Sequence, residues 1–138
     1  MDTTTIYRIE HKDNHRGPWW CGIGEVADAA NASVYGCNTS HPIPQEDYML
    51  DHNGDAVRYG VKSDRLCVDN WQCGAENLNH MVHWFNEASI IATFAENGME
   101  LVKLTVPSEH VFIGETQVLF DPYHILNREV LDIWKLVV

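Results

Sequence analysis

From His11 to about Asp55 the chain offers no sustained hydrophobic period, and turn formers crowd together: Asn14, Gly17-Pro18, Gly22, Gly24, Asn31, Gly36, Asn38, Pro42, Pro44 and Asn53-Gly54. Glycine opens backbone angles closed to other residues, proline fixes its own φ and donates no hydrogen bond, and asparagine bonds its own backbone. Such a stretch resists long helices and strands, and only Glu25 to Ser33 leaves room for a short helix. A run of this length inside one domain is uncommon unless it carries a function or holds short elements of its own, and both alternatives stay open. The regular framework must therefore come mainly from the two flanks.

On the near flank, Thr4 to Glu10 reads as a strand, because the β-branched and aromatic run Thr4-Thr5-Ile6-Tyr7 continues into Ile9 with Arg8 and Glu10 alternating outward. On the far flank, Ala56 to Val61 reads as a second strand. Ser63 is then placed to cap a helix near Asp64 to Trp71, with Asp64 at the positive helix start and Leu66, Cys67 and Trp71 inward. A longer helical region is predicted from Glu76 to Glu96, where Leu78, Met81, Val82, Phe85, Ile90, Ile91 and Phe94 recur at three-and-four spacing, and Asn97-Gly98 stops it. Three strand candidates follow, Met99 to Val106, Val111 to Phe120 and Leu131 to Val138, divided by Pro107-Ser108 and by Asp121-Pro122. The expected fold is α+β, with a mixed or antiparallel twisted sheet built from the first strand, the strand near Tyr59 and the three late strands, flanked by helices on one side.

At 138 residues the chain is expected to be a single domain, a length that buries roughly 70% of the unfolded surface. Nine basic side chains against twenty acidic ones give a net charge of -11 with histidines neutral. The average field then repels phosphate backbones and anionic membranes, so neither direct nucleic-acid binding nor membrane binding is expected. The same field attracts a partner with a basic surface, including the nucleic-acid groove of a nuclease, at rates that fall with salt. The first residues, Met1-Asp2-Thr3-Thr4-Thr5, lack a basic and an apolar signal region, and no window approaches eighteen uninterrupted apolar residues. A cytoplasmic protein is expected, with Cys21, Cys37, Cys67 and Cys73 as reduced thiols.

His80 and His83 sit at i and i+3 on a predicted helix, close enough to share an ion. With neither a HExxH pattern nor a paired CxxC beside them, they read instead as two polar positions on a solvated face, and no metal is assigned. No local base marks any cysteine as a nucleophile. GxGxxG, GxxxxGK[ST] and GxSxG are all absent, which leaves dinucleotide-binding, P-loop and hydrolase readings without an anchor. Trp19 and Trp20, following His15, Arg16, Gly17 and Pro18, suit stacking on a planar ligand, filling a groove on a partner, or a turn with one tryptophan tucked against the sheet. The run His41 to Asp47 reads as a rigid loop that frames a pocket or crosses the surface.

The run Gly114-Glu115-Thr116-Gln117-Val118-Leu119-Phe120-Asp121-Pro122-Tyr123 resembles the end of the ADP-ribosyltransferase fold, whose Glu-x-Glu strand often continues as Val-Leu-Ile-Pro-Pro and an aromatic residue. Tyr7-Arg8-Ile9-Glu10-His11 is similar to that superfamily's first strand, which carries an Arg or His gripping the nicotinamide ribose, and Tyr59 with Ser63 matches its central motif. The resemblance implies NAD as cofactor, held by Arg8, Tyr59, Ser63 and Trp19, with Glu115, Gln117 and His11 catalytic. Gln117 departs from the family pattern, since a neutral amide stabilises an oxocarbenium ion less well than a carboxylate. An inactive scaffold, an enzyme relying on Glu115, and a plain core strand with Glu115 and Gln117 facing solvent are the alternatives.

A second resemblance spans more of the chain. Tyr-Arg-Ile-Glu-His, Gly-Pro-Trp, His-Pro-x-Pro and the closing Gly-x-x-Gln-Val-x-Phe together look like small accessory proteins of bacteriophages and prophages. It implies a protein aimed at the host, such as an inhibitor of a defence nuclease in the manner of anti-CRISPR proteins, with Trp19, Trp20, Arg16 and Asp47 meeting the partner. A binding protein is the first expectation and an NAD-dependent ADP-ribosyltransferase the alternative.

Overall fold

Strand β1, Thr3–His11, pairs along its whole length with β3, Met99–Pro107, in an antiparallel ladder from Thr3↔Pro107 to His11↔Met99. The computed structural model describes residues 2–18, 21–36, 72–113 and 118–137. On its other side β3 pairs with β6, Asn127–Leu131, so the first sheet has the order β1-β3-β6. A second antiparallel sheet has the order β2-β5-β4, from Gln72–Gly74, Val118–Phe120 and Val111–Ile113. The sheets meet at one bridge, where Tyr7 and Ala75 exchange backbone hydrogen bonds of 2.8 and 2.7 Å.

Strand side chains alternate between faces, and both faces of the first sheet are covered. Ile9, Met99 and Leu101 join Val26 and Ala30 of α1 (Gly24–Gly36), Met81 and Trp84 of α2 (Leu78–Trp84), and Ile90, Ile91 and Phe94 of α3 (Ala88–Glu96) in one core. Ile6, Val102, Leu104 and Val106 point the opposite way, onto Val118 and Phe120 of the second sheet, in another core. The first sheet is thus the middle of three layers, with helices on one side and the short-stranded sheet on the other. Among the described residues no helix is long and apolar enough to cross a membrane.

The expected α+β class, the first strand, the helix after Gly24 and the strand from Met99 all match. Five expectations are corrected. Arg8 and Glu10 do not face outward: the second sheet covers their side of β1, leaving them 5% and 1% exposed. The helical region from Glu76 to Glu96 is two helices, α2 capped by the Asn77 side chain accepting from the His80 N–H at 2.9 Å, and α3 ended at Gly98, whose φ is +81°. Between them Phe85 adopts an extended conformation, which turns its ring inward to meet Phe94 edge-on at 5.4 Å.

The expected strand from Val111 to Phe120 is a hairpin. β4 and β5 pair antiparallel with Ile113 opposite Val118, so the chain reverses between them. The expected strand from Leu131 to Val138 ends at Leu131, because the Asp132 carboxylate accepts the Trp134 N–H at 3.0 Å and starts a 3-10 turn over Ile133–Leu136. Among the described residues the strands form two sheets of three and not a single sheet. The strand expected at Ala56 to Val61 and the helix at Asp64 to Trp71 lie outside the described residues.

Candidate functional site

Two charged residues on β1 form the floor of the site. Arg8 and Glu10 share the face of β1 that meets the second sheet, and burying either without a partner would cost several kcal/mol. Arg8 is engaged at each nitrogen: Nε donates to Glu10 Oε1 at 3.0 Å, one terminal nitrogen to the Cys73 carbonyl at 2.6 Å and the other to the His15 carbonyl at 3.1 Å. Burial pulls the Arg8 pKa down and the Glu10 carboxylate opposes that shift. Glu10 Oε2 in turn lies 3.0 Å from Arg128 Nε, on the far strand β6, and 3.9 Å from His15 Nε2. The Arg128 contact is charge against charge, since its Nε–H is not aimed along the line to the carboxylate.

The turn after β1 is shaped to serve this cluster. His15 has φ +57°, a left-handed conformation that costs a non-glycine residue about 1 kcal/mol or more. In that conformation its carbonyl accepts from both Arg8 and Gln72, the latter through Nε2 at 3.1 Å. Above lies an open cleft of about 550 Å³, with His15, Gln72 and Arg128 as its polar base and Pro122, Tyr123 and Leu126 on its walls. Gln72 Oε1 is buried and accepts no hydrogen bond from any described residue. The cleft thus offers the partly exposed Arg128 guanidinium between apolar walls, which suits a partner side chain with an apolar stem and a polar end.

The wall continues along β6. Leu126 extends the ladder by donating its N–H to the Thr105 carbonyl at 2.8 Å. Strand alternation then sets Leu126, Arg128 and Val130 on one face. Leu126 and Val130 are 57% and 56% exposed, Tyr123 is 83% exposed, and among the described residues β6 pairs only with β3. Exposed apolar side chains beside a strand edge that no described strand pairs with are features of a docking surface.

On the other side of the Asp121 turn, His110, Asp121 and His124 bring three ligand-type atoms within 4.8 Å of one another. His110 and His124 stack with ring centroids 3.6 Å apart and planes 6° from parallel, and His124 Nε2 lies 3.5 Å from Asp121 Oδ2. Read from the sequence, this set was invisible: a single strand from Val111 to Phe120 would hold His110 and Asp121 about 35 Å apart, whereas the hairpin sets them side by side. The one local signal is the Asp-x-x-His spacing of Asp121 and His124.

Of the residues singled out in the sequence, Arg8 is committed to the buried cluster and His11 points to the opposite face of β1. His11 is 14% exposed at its side chain, and its Nδ1 accepts the Asp13 N–H at 3.1 Å. The two are therefore not brought together. Arg16 is exposed in the turn, two residues from the cleft at Asn14. Trp19, Trp20, Asp47, Tyr59, Ser63, Glu115 and Gln117 lie outside the described residues. His80 stacks on Trp84 at 5.9 Å, and His83 is exposed. Cys73 is unbridged, and burial pushes its thiol up to about 11 while Arg8 opposes the shift. Gln72 and Arg128, which help build the cleft, carried no motif that marked them, and Tyr123 stood only as the aromatic end of the run from Gly114.

The sequence model of one protein family, described as the bacteriophage T4 Y00F protein, matches residues 1–134. No curated protein and no solved structure matches the chain.

Proposed function

We propose, on the premise that this chain belongs to the bacteriophage T4 Y00F protein family and is a phage accessory protein, that it acts by binding a host protein along β6 and the adjoining cleft. The observation that carries this reading is the exposed stripe of Tyr123, Leu126 and Val130 beside a strand edge that no described residue covers. Such an edge accepts an added strand through backbone hydrogen bonds, while alternate side chains fill neighbouring pockets. Here the pocket is the cleft, and its walls supply the aromatic and aliphatic anchors that dominate interface energies. The net charge of -11 favours a partner with a basic surface, and the nucleic-acid groove of a defence nuclease is such a surface.

The test is capture of a host protein from lysate by wild-type protein and by the Tyr123→Ala/Leu126→Ala double variant. Both side chains are exposed, so the variant is expected to fold while partner recovery drops about tenfold or more. Equal recovery by both would remove the edge as the contact. If the partner is a nuclease, its activity should fall in proportion to added protein. The transferase alternative requires NAD, with Glu115 and Gln117 at the chemistry. Transfer of label from NAD to a host protein, abolished by Glu115→Ala, would put that alternative in place of the binding reading.

A further inference from the structure

We propose that His110, Asp121 and His124 bind a divalent first-row transition metal ion such as Zn²⁺. Two imidazoles and one carboxylate are the donor set of borderline ions, whereas Ca²⁺ and Mg²⁺ take all-oxygen shells. The set is built by the hairpin. Val111 pairs with Phe120, and the Asp121 N–H donates to the His110 carbonyl at 3.1 Å, so these two residues face each other just beyond the last ladder pair. The 3-10 turn Pro122–His124 then returns His124 over them, its N–H donating to the Asp121 carbonyl at 3.1 Å.

Asp121 is 3% exposed, and its two oxygens have separate roles. Oδ1 accepts the Tyr123 N–H at 3.0 Å, which fixes the carboxylate and leaves Oδ2 turned toward His124. A ligand oriented by an outer hydrogen bond in this way is the usual arrangement at protein metal sites. Exposed Glu109, 3.6 Å from His110 Nε2, adds negative charge beside the site. An ion lies in the plane of each ring that ligates it, and parallel rings 3.6 Å apart cannot share one. Binding therefore requires a tilt of one ring, and His124, 43% exposed at the end of its turn, has the room. Three protein donors leave the remaining positions to water, and the bound ion ties the open end of the hairpin together.

The experiment is calorimetric titration of untagged protein with Zn²⁺, with Co²⁺ absorption as a spectroscopic readout of the ligand set. A single equivalent is expected, with a rise in Tm at excess Zn²⁺. His110→Ala and His124→Ala should each weaken Zn²⁺ binding about tenfold or more and remove the Tm rise. His80→Ala, on the helix, should leave both unchanged. Asp121→Asn keeps the oxygen that caps the turn and removes the charge, so it should weaken binding while folding as the wild type does. Wild-type affinity in the His110→Ala/His124→Ala double variant, confirmed as folded by circular dichroism, would overturn the proposal and place any bound ion on other donors, the thiols included.

Discussion

Glu10 is a buried carboxylate shared by two guanidinium groups. It lies between Arg8 and Arg128, with Oε1 and Oε2 each 3.0 Å from one of them. Glu10→Gln keeps the shape and removes the charge, leaving two guanidinium groups to face each other inside the protein. Removing one member of a buried ion cluster typically costs about 3–5 kcal/mol. Urea denaturation of the variant should show a loss of that order, with an unchanged m-value; a loss below about 1 kcal/mol would mean that solvent screens the cluster. Cys73 makes a prediction in pH. Its thiol is held up to about 11 against an ordinary 9.0, so between those values the unfolded chain gives up a proton that the folded protein keeps. Stability from this group is complete below about pH 9 and falls as pH rises through about 11. Denaturation midpoints measured across that range should decline less steeply in Cys73→Ala than in the wild type.

At the scale of elements, the tightest joint is where β2 passes β1. A Cβ placed on Gly74 would meet Ile6 Cγ2 and lie 2.8 Å from the Tyr7 carbonyl oxygen. Backbone cannot yield cheaply there, and Gly74→Ala should destabilise by about 1–3 kcal/mol or more, seen as a lower urea midpoint. Elements whose own residues determine them were legible in the sequence. β1 follows from a β-branched alternation, and α3 from apolar spacing closed by Asn97-Gly98. What was not legible depends on which surface covers which. Arg8 and Glu10 look like solvent positions of a half-buried strand until the second sheet is laid over them. Val111 to Phe120 reads as one strand because Gly114 is its sole turn former and no Asn-Gly or Asp-Gly pair marks the reversal. That one misreading hid the His110, Asp121 and His124 cluster, whose members meet only after the chain doubles back. The cleft was hidden for the same reason, since Gln72, Tyr123 and Arg128 come from three elements.

For the whole molecule, the net charge of -11 sets how a complex would respond to its surroundings. Capture of a basic partner should weaken as salt rises from about 50 to 500 mM, with the association rate falling more than the dissociation rate rises. Surface plasmon resonance at several salt concentrations separates the two rates, and salt-independent association would mean that the contact is apolar throughout. The layered plan also bears on how the protein is made. β1 lies in the middle layer, yet its ladder partner is β3, and roughly ninety residues separate His11 from Met99. At ribosomal speeds of about 5–20 residues per second, the nascent strand waits on the order of 5–20 seconds for that ladder partner. Slower elongation lengthens that interval, so the yield of native protein is tied to the pace of translation and to whatever holds the emerging chain in the meantime.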